Sequence, residues 1–368
     1  MTDTEKKAEN KSRHAGARRK KNSRKNKKGG SLGRRILLGI AVLSVILGSI
    51  AVWRGRMYIA VYSPDDDAAG WVYIPAGATR ESVRDSLESA LGKDFGGKVA
   101  SVWSGELSMA RGAYRVEPGA RAWRVAKKIG RGIQSPVKVS FNNMRTLEQL
   151  SERLAARMEF SADDFITACD SVAKARGMNR DTLATYLFPD TYEAFWTDSP
   201  ARLLARMEDA HSRFWTPTRR EKAAELGLTP AKAYILASIV EEESAKRDER
   251  PVIGRLYLNR LKKGMLLQAD PTVKFACGDF AARRITGDML RKDSPYNTYR
   301  VKGLPPGPIR LAEASTIDGI LSSAPNSYIY MCAKADFSGR HAFASGYEEH
   351  RRNAAAYHKA LDARGIKK

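Results

Sequence analysis

The hydrophobic and polar positions divide the chain into one uninterrupted apolar run near the N-terminus and a long remainder with shorter periodic patterns. The run from Ile36 to Trp53, ILLGIAVLSVILGSIAVW, holds no charged residue and has arginines on both sides. At a rise of about 1.5 Å per residue, a helix of this length crosses most of a hydrocarbon core about 30 Å thick. The pattern therefore predicts a single transmembrane helix over residues 36–53.

The segment before this run is polar and strongly basic. Residues 1–35 carry fourteen Lys or Arg against three acids, a large part of the chain's net charge of +23, and they show no apolar periodicity. This composition predicts a disordered tail. Because basic flanks stay in the cytoplasm, we expect a cytoplasmic N-terminus at the inner (plasma) membrane and an extracytoplasmic, periplasmic remainder.

Two other interpretations of the N-terminal region fit less well. A cleaved signal peptide has an apolar core of about 7 to 15 residues followed by a small-x-small cleavage site, and neither feature matches this run. A nucleic-acid-binding tail would use the same Lys and Arg side chains. A basic cluster directly before an apolar span is explained more simply by orientation and by anionic lipid, so we expect membrane lipid and no nucleic acid as a partner.

Three segments beyond the run share a pattern of strand, turn and helix. They begin at Val72, Tyr114 and Val139 and read VYIPAGATRESVRDSL, YRVEPGARAWRVAKKI and VSFNNMRTLEQLSERL. In each, a short strand-like stretch precedes a polar turn and a helix with apolar residues four apart. The third has a candidate capping box, Thr146 with Gln149. The pattern is typical of small LysM-like modules that bind glycan chains, and equally of a plain α+β packing domain.

The predicted fold class is α+β, with the strand-turn-helix segments over residues 54–157 and a mainly helical domain over 158–368. Ser161 caps one helix of that domain, which ends before Gly177, and Ser199 caps another that begins at Pro200. Between these two helices, YLFPDTYEAFW reads as an aromatic-rich loop. Its rings either fill a core or stack on sugar rings.

The stretch from Tyr234 to Ser244, YILASIVEEES, is apolar for most of its length and ends in three carboxylates. Thr229 and Pro230 begin this helix. A surface helix spreads its charges around one face, so three at the end of a core-like run require an explanation.

The helical period distinguishes the three glutamates. The apolar stripe runs through Ile239 and Val240, and the next position along it is Glu243, whereas Glu241 lies on a flank of small residues and Glu242 at the edge of the stripe. Burial without a cation raises the pKa of a carboxyl, which suits a proton donor near neutral pH. The sequence therefore predicts that Glu243 is the most buried carboxylate and carries a raised pKa.

A structural role for Glu243 stays open at this point: the helix end turns into solvent, or Glu243 forms an ion pair with Arg247 at i+4. The cysteines and histidines add no competing chemistry. The three cysteines are widely spaced, without a CxxC pair, and the five histidines include no HExxH motif. Neither a disulfide framework nor a metal site is expected.

Three motifs follow the helix in order: ERPVIGRLYLNRLKKGMLLQADPTVKFACG, SPYNTYRVKGLPPGPIRLAEAS and SYIYMCAKADFSGRHAFASGYEEH. Together with ASIVEEES they resemble the MltG/YceG-like endolytic murein transglycosylases over roughly residues 71–361. The resemblance implies a single-span enzyme that cleaves the β-1,4 bond after N-acetylmuramic acid in nascent peptidoglycan strands. It further implies 1,6-anhydro ends, termination of glycan elongation, no metal or diffusible cofactor, and peptidoglycan synthases (penicillin-binding proteins) as partners.

The resemblance also assigns roles to residues. The family's essential glutamate precedes a Ser or Thr at the end of this helix, which here is Glu243 before Ser244, acting first as acid and then as base. Gln268 and Asp270 would bind hydroxyl and acetamido groups of the sugars. GLPPGPI would form a rigid wall. Stacking and amide contacts would come from Tyr296, Asn297, Thr298 and Tyr299.

Two alternatives remain at the level of function. A non-catalytic peptidoglycan-binding scaffold would not need a proton donor on a buried stripe. A hydrolytic muramidase would differ from a transglycosylase only in whether water or the 6-hydroxyl of the sugar attacks. One departure from the family pattern is Glu242, which stands where the family commonly has a basic residue and adds a negative charge close to Glu243.

Overall fold

The computed structural model describes residues 33–65, 68–282 and 284–365. The expected disordered tail lies outside these residues, apart from 33–35, which are helical instead. Helix α1, Gly33–Ile59, contains the whole predicted span and extends past both of its ends, since the flanking arginines are good helix formers. Its most apolar window has a mean hydropathy of 2.6 and no buried residue, so α1 is long and apolar enough to cross a membrane.

The chain forms two compact units, one ending at Gln134 and the other beginning at Ser135. In the first unit, β1 and β2 pair antiparallel, with Val72 opposite Tyr114. The first two strand-turn-helix segments thus share one sheet. After α1, the elements of this unit are β1 (Gly70–Ile74), α2 (Arg80–Leu91), α3 (Lys93–Val102), α4 (Leu107–Ala110), β2 (Gly112–Val116) and α5 (Ala122–Gly130).

The core of the first unit forms where the sequence pattern places it. Val83 and Leu87 of α2 and Val125 and Ile129 of α5 are buried in one cluster with the inner face of the sheet. Thr79 caps α2, accepting a hydrogen bond from the backbone N–H of the third helical residue. Apolar side chains four apart therefore hold both helices, as predicted.

The second unit is mainly helical, as expected for residues 158–368. Its strands form separate antiparallel pairs, β3 with β4 and β5 with β6. Its elements are β3 (Val137–Ser140), α6 (Leu147–Ala155), α7 (Ala162–Ala175), α8 (Arg180–Ala184), β4 (Thr191–Ala194), α9 (Pro200–Phe214), α10 (Pro217–Glu225), α11 (Pro230–Glu243), α12 (Arg250–Lys262), α13 (Asp270–Cys277), α14 (Gly287–Leu290), α15 (Ala314–Leu321), β5 (Tyr330–Ala333), β6 (His341–Ala344) and α16 (Tyr347–Ala363).

The third strand-turn-helix segment belongs to the second unit, so the units divide earlier in the chain than the boundary expected at 157/158. The reason is a pairing that the sequence pattern did not indicate: β3 pairs with β4, with Val139 opposite Tyr192. The aromatic-rich stretch is therefore partly a strand rather than a loop. Phe188 and Tyr192 are buried, so these rings fill a core.

Most predicted helix starts are confirmed. Ser161 and Ser199 each accept a hydrogen bond from the backbone N–H three residues on. The capping box at Thr146 forms only in half. Thr146 accepts from the N–H of Gln149 at 3.2 Å, but the side chain of Gln149 accepts from the N–H of Arg145, at 2.9 Å, rather than from that of Thr146. Local competition between neighbouring N–H groups decides this detail.

Two adjacent glycines of α3 should respond in opposite ways to substitution by alanine. A Cβ on Gly96 would lie 2.3 Å from the carbonyl oxygen of Leu87, whereas one on Gly97 would lie 3.3 Å from the flexible side chain of Glu88. We expect Gly96→Ala to lower the free energy of unfolding by about 1–3 kcal/mol. Gly97→Ala should leave it unchanged or raise it by about 0.5–1 kcal/mol. Denaturant unfolding followed by circular dichroism compares the two, and equal midpoints would contradict the close approach of α2 and α3.

Candidate active site

Helix α11 lies inside the second unit, with all of its residues from Ala233 to Glu241 buried. Its start matches the prediction: Thr229 accepts a hydrogen bond from the N–H of Lys232, and Pro230 occupies the first turn. Because α11 is enclosed on every side, its apolar stripe does not mark a single buried face. The direction of the last residues is therefore set by contacts with neighbouring segments.

Two polar side chains fix α11 in rotation about its axis. The hydroxyl of Tyr234 donates to the carbonyl of Leu187 at 2.7 Å and accepts from the N–H of Ala312 at 3.0 Å. The hydroxyl of Ser238 accepts from the N–H of Ile309 at 3.1 Å. Ile309 ends the GLPPGPI segment, which is irregular, as its prolines predict. These buried bonds would be broken by any rotation of the helix, so they orient the carboxylates at its end.

Glu241 is the most buried of the three carboxylates, with 4% of its surface exposed, whereas Glu242 and Glu243 are only partly buried. By exposed surface, the expectation that Glu243 is the most buried was wrong, because enclosure on all sides removes the distinction that the stripe argument used. Desolvation nevertheless raises the pKa of Glu243 as well as that of Glu241. Glu241 lies 3.2 Å from Arg310 and 3.8 Å from Arg250. Burial raises the pKa of Glu241, and both guanidinium groups oppose that effect.

Glu242 also forms ion pairs, with Arg145 at 3.0 Å and with Arg310 at 3.0 Å. Arg310 thus contacts two successive carboxylates and follows directly after the Pro-rich segment. The negative charge by which Glu242 departs from the family pattern is balanced by these two arginines. Glu241 and Glu242 therefore have a structural explanation: they fasten the end of α11 to neighbouring segments.

Glu243 has a different environment. In the part of the chain that the structure describes, no Lys or Arg lies within ion-pair distance of its carboxylate, and its Oε1 accepts a hydrogen bond from the hydroxyl of Tyr257 at 2.7 Å. Tyr257 lies on α12 and is 1% exposed. Arg247, the i+4 partner considered from the sequence, pairs with Glu313 at 3.1 Å instead. A neutral donor thus replaces the cation that its two neighbours have.

Burial raises the pKa of Glu243 to about 7, and the nearby carboxylate of Asp270 adds to the shift. The hydrogen bond from Tyr257 and the positive charges of Arg260 and Lys274 act in the opposite direction. The C-terminal end of a helix also disfavours negative charge. The predicted raised pKa is confirmed. A carboxyl that titrates near pH 7 can both donate and accept a proton at neutral pH.

Asp270 and Tyr299 join Glu243 in one electrostatic cluster. Asp270 begins α13 and accepts a hydrogen bond from the hydroxyl of Tyr299 at 2.6 Å. Burial raises the pKa of Tyr299, and the charges of Asp270 and Glu243 add to the shift. The structure thus brings together three of the side chains that the sequence singled out, from three different segments.

Gln268 lies beside this cluster on the loop before α13. Its backbone has a φ of 50°, in the left-handed region, and its N–H donates to the carbonyl of Thr298 at 3.1 Å. The side-chain oxygen accepts from Arg260 at 3.3 Å, and the residue is exposed. Its amide therefore lies within reach of a ligand from solvent.

Asn297 and Thr298 are buried and use their polar groups inside the fold. Asn297 donates to the carbonyls of Leu290 and Lys292 at 2.9 and 2.8 Å. Thr298 accepts from the N–H of Ala269 at 3.0 Å. These contacts hold the loop that carries Gln268 and Tyr299, so any contribution of Asn297 and Thr298 to binding is indirect.

Tyr296 packs against the core of the second unit. Its ring centroid lies 4.8 Å from that of Phe275, and burial raises the pKa of its hydroxyl, which bonds to the carboxylate of Asp181. Both of these contacts are internal.

Sequence reasoning missed Tyr257 and Arg260 as members of the site. Arg260 is 8% exposed, and it donates to the carbonyls of Leu267 and Ile329 at 2.9 and 2.6 Å as well as to Gln268. The available signal was their spacing. Residues three apart on a helix share a face, and Tyr257 and Arg260 both stand in the run ERPVIGRLYLNRLKKG, which was quoted only for its resemblance.

No group of three or more His, Cys, Asp or Glu side chains placed to hold a metal ion occurs among residues 33–65, 68–282 and 284–365. A cleft of 630 Å³ in the second unit, lined by residues that include Leu226, Asn259 and Pro325, does not include Glu243. The titrating carboxyl and its tyrosine, rather than cavity size, therefore locate the candidate site.

Comparison with known proteins agrees with the motifs. Residues 72–356 match the model of the YceG-like family. An endolytic murein transglycosylase of Bacillus subtilis is 25% identical over 332 residues, which cover 85% of this chain and 91% of that protein. Two proteins of the same name from Streptococcus pneumoniae strains are 30% identical over 185 and 186 residues, which cover 48% of this chain and 33% of each relative.

A solved structure shows the same relationship. The 2.6 Å crystal structure of a YceG-like protein from Listeria monocytogenes is 27% identical, with a TM-score of 0.52, and the match covers 77% of this chain and 98% of that one. The family model extends from β1 to α16 and includes Glu243 and each of its partners named above. The chain therefore belongs to the YceG-like family.

Proposed function

We propose that this chain is an endolytic lytic transglycosylase that cleaves peptidoglycan strands. The observation that carries the proposal is the carboxyl of Glu243, whose pKa burial raises to about 7 and which bonds to the neutral hydroxyl of Tyr257. The relatives named endolytic murein transglycosylase support the assignment. A binding scaffold would have no use for a carboxyl that exchanges a proton near pH 7 at this position, so an enzyme is favoured.

In the proposed reaction, the substrate is the β-1,4 bond between N-acetylmuramic acid and N-acetylglucosamine. Protonated Glu243 gives its proton to the glycosidic oxygen as the bond to the anomeric carbon breaks, and positive charge develops on the muramic acid ring. The carboxylate of Glu243 then takes the proton of the 6-hydroxyl while that oxygen bonds to the anomeric carbon. A 1,6-anhydro end forms, no water is consumed, and Glu243 is protonated again.

The surrounding groups support both halves of this cycle. Tyr257 donates a hydrogen bond to one oxygen of Glu243, which orients the carboxyl and stabilises its ionised form after the first step. The carboxylate of Asp270 keeps the pKa of Glu243 high before that step. The exposed amide of Gln268 would bind a hydroxyl or acetamido group of the sugar.

Hydrolysis is a second candidate, because Asp270 supplies another carboxylate close enough to act on the charge of Glu243. A hydrolase of this kind uses its second carboxylate as a base for water or as a nucleophile. Here one oxygen of Asp270 already accepts a hydrogen bond from Tyr299 at 2.6 Å, which occupies an oxygen that a water molecule would need. That contact favours attack by the substrate's own hydroxyl.

We propose further that α1 anchors the enzyme in the inner membrane, with the N-terminus in the cytoplasm and both units outside. The length and hydropathy of α1 support a membrane span, and the fourteen basic residues before Ile36 support this orientation. In that position the enzyme would meet nascent strands beside the peptidoglycan synthases and terminate their elongation. The strand-turn-helix elements of the first unit, apart from the outer side of α5, would bind glycan in the manner of LysM-like modules.

Glu243→Gln should abolish most of the activity without unfolding the protein. The amide keeps the shape but cannot exchange a proton, so cleavage of purified glycan strands should fall by about 10²- to 10⁴-fold. Because the folded-state pKa is raised, ionisation of Glu243 destabilises the wild-type fold as the pH rises through that value. At a pH above 7, the thermal unfolding midpoint of the variant should therefore be no lower than that of the wild type. Mass spectrometry of the wild-type products should show ends lighter by one water than reducing ends.

Glu242→Gln is the matched control, because it makes the same change at the adjacent position and removes only partly exposed ion pairs. It should retain most of the activity. Near-full cleavage by Glu243→Gln would exclude this residue as the acid and favour the scaffold. Products with ordinary reducing ends would favour hydrolysis instead.

Tyr257→Phe tests the hydrogen bond to Glu243. The hydroxyl of Tyr257 lowers the pKa of this carboxyl, so its removal should raise that pKa and move the basic limb of the pH–rate profile upward by about one pH unit. Tyr296→Phe removes a hydroxyl bonded to Asp181 and should leave the limb in place. A basic limb that is unchanged in Tyr257→Phe would show that this limb does not report Glu243.

Membrane topology can be tested with reporters fused after Lys368. Alkaline phosphatase is active only outside the cytoplasm, so its fusion should be active. A fluorescent protein that requires the cytoplasm should be dark at the same site, because the basic flank retains the N-terminus inside. Replacing the Lys and Arg residues before Ile36 by Gln should weaken this bias. Cytoplasmic activity of the fusion to the unchanged chain would overturn the proposed orientation.

A further inference from the structure

One side of α5 in the first unit carries a basic and aromatic surface that the proposed reaction does not use. We call it the α5 basic face. Lys127 lies four positions after Trp123 and three after Arg124, and Arg131 lies four after Lys127, so the members share one side of the helix, while the other side is buried in the core. They are Trp123, Arg124, Lys127 and Arg131.

Among the residues that the structure describes, the cations of the α5 basic face have no acidic partner. In the part of the chain that the structure describes, no carboxylate lies within ion-pair distance of Arg124, Lys127 or Arg131. The sequence holds no Asp or Glu from Pro118 to Leu147. The three side chains therefore present uncompensated positive charge, which attracts an anion from outside the chain.

A cleft of 260 Å³ opens beside this face, between α5 and the end of α1. Tyr58, Ser104, Trp123, Lys127 and Arg131 are among its lining residues, none of which is acidic. Glu106, which directly follows the lining residue Gly105 in the sequence, is exposed. Aromatic rings, a hydroxyl and two cations in one cleft suit a phosphate group with apolar surroundings.

The position of the α5 basic face relative to α1 is fixed by the backbone. Directly after α1, the N–H of Tyr62 donates to the carbonyl of Ala120 at 2.9 Å, and the N–H of Ala122 donates to the carbonyl of Ala60 at 2.8 Å. In addition, the ring of Tyr58 stacks on that of Trp123, with centroids 6.1 Å apart and an interplanar angle of 8°. The start of α5 is thus joined to the last turn of α1.

We infer that the α5 basic face binds the phosphate headgroups of anionic phospholipids at the surface where α1 leaves the membrane. The inference rests on the membrane anchoring proposed above. If α1 spans the bilayer, its last turn lies at the headgroup level, and the hydrogen bonds to α5 hold these cations at the same level. Trp and Tyr side chains prefer that interface, and Lys and Arg are attracted to anionic lipid there.

A glycan strand is the competing ligand, because sugar rings stack on aromatic side chains. The faces of Trp123 are less suited to it than to lipid, since Tyr58 stacks on the ring, and Arg124 and Lys127 lie 5.4 and 5.9 Å from its centroid. These contacts occupy the surface that a sugar would need. Positive charge beside a covered ring matches a phosphate better than a pyranose.

The test uses the full chain in proteoliposomes of phosphatidylcholine alone or mixed with phosphatidylglycerol. A membrane-impermeant acylating reagent labels exposed lysines, and peptide mass spectrometry compares Lys127 with Lys93, an exposed lysine elsewhere in the same unit. We expect the labelling ratio of Lys127 to Lys93 to fall severalfold when phosphatidylglycerol is present. High salt should reverse the effect, since it screens the attraction.

Variants separate the α5 basic face from general charge. Arg124→Gln with Arg131→Gln should restore the ratio, because each cation near an anionic surface strengthens association by about fivefold. Arg84→Gln with Arg80→Gln, an equal loss of charge on α2, should not. Equal ratios in the two lipids would overturn the inference, and protection of Lys127 by added glycan strands but not by lipid would assign the face to glycan. Loss of the protein from the vesicles in alkaline carbonate would instead show failure of the anchoring itself.

Discussion

The structure around the candidate site depends on one constraint: three consecutive carboxylates end a helix that is enclosed on all sides. A buried carboxylate is costly unless a cation or a hydrogen bond compensates its charge, and the C-terminal end of a helix makes that cost larger. Arg310, Arg250 and Arg145 supply the cations for Glu241 and Glu242. The tyrosine beside Glu243 supplies a hydrogen bond without a charge. The different partners give neighbouring residues different chemistry.

The contrast between arginine partners for Glu241 and Glu242 and a tyrosine partner for Glu243 shows how one helix end could serve both stability and the proposed proton transfer. An ion pair with arginine would hold the pKa of Glu243 low and remove its proton at neutral pH. A fully apolar pocket would hold the pKa so high that the carboxylate never formed. The hydroxyl of Tyr257 lies between these limits because it favours the ionised form only moderately. The ion pairs of Glu241 and Glu242 fasten the helix end beside the residue proposed to exchange the proton.

Much of the fold follows from local signals, and the pairing of distant segments does not. The caps at Ser161 and Ser199, the apolar run of α1 and the four-residue spacing in α2 and α5 each act within a few residues, so the sequence shows them directly. The pairing of β3 with β4 joins segments about fifty residues apart, and nothing in either strand specifies its partner.

The site shows the same limit. The sequence singled out Glu243 as the candidate proton donor, but its argument from an apolar stripe assumed one buried face, whereas contacts from several segments enclose α11. The burial of Glu241 and the role of Tyr257 both depend on those tertiary contacts. Asn297 and Thr298 had the right chemistry for sugar binding, yet their polar groups are used to hold the loop. A residue type in a motif therefore indicates chemistry more reliably than it indicates which way the side chain points.

The backbone of Gln268 has a consequence for protein engineering. A side chain other than glycine at a φ of 50° costs on the order of 1 kcal/mol, and asparagine or glycine would occupy this conformation more easily. A screen for thermostable variants would therefore favour replacement of Gln268, an exposed residue beside the candidate site. If Gln268 binds the sugar as proposed, selection for stability and selection for substrate affinity would act in opposite directions at this one position.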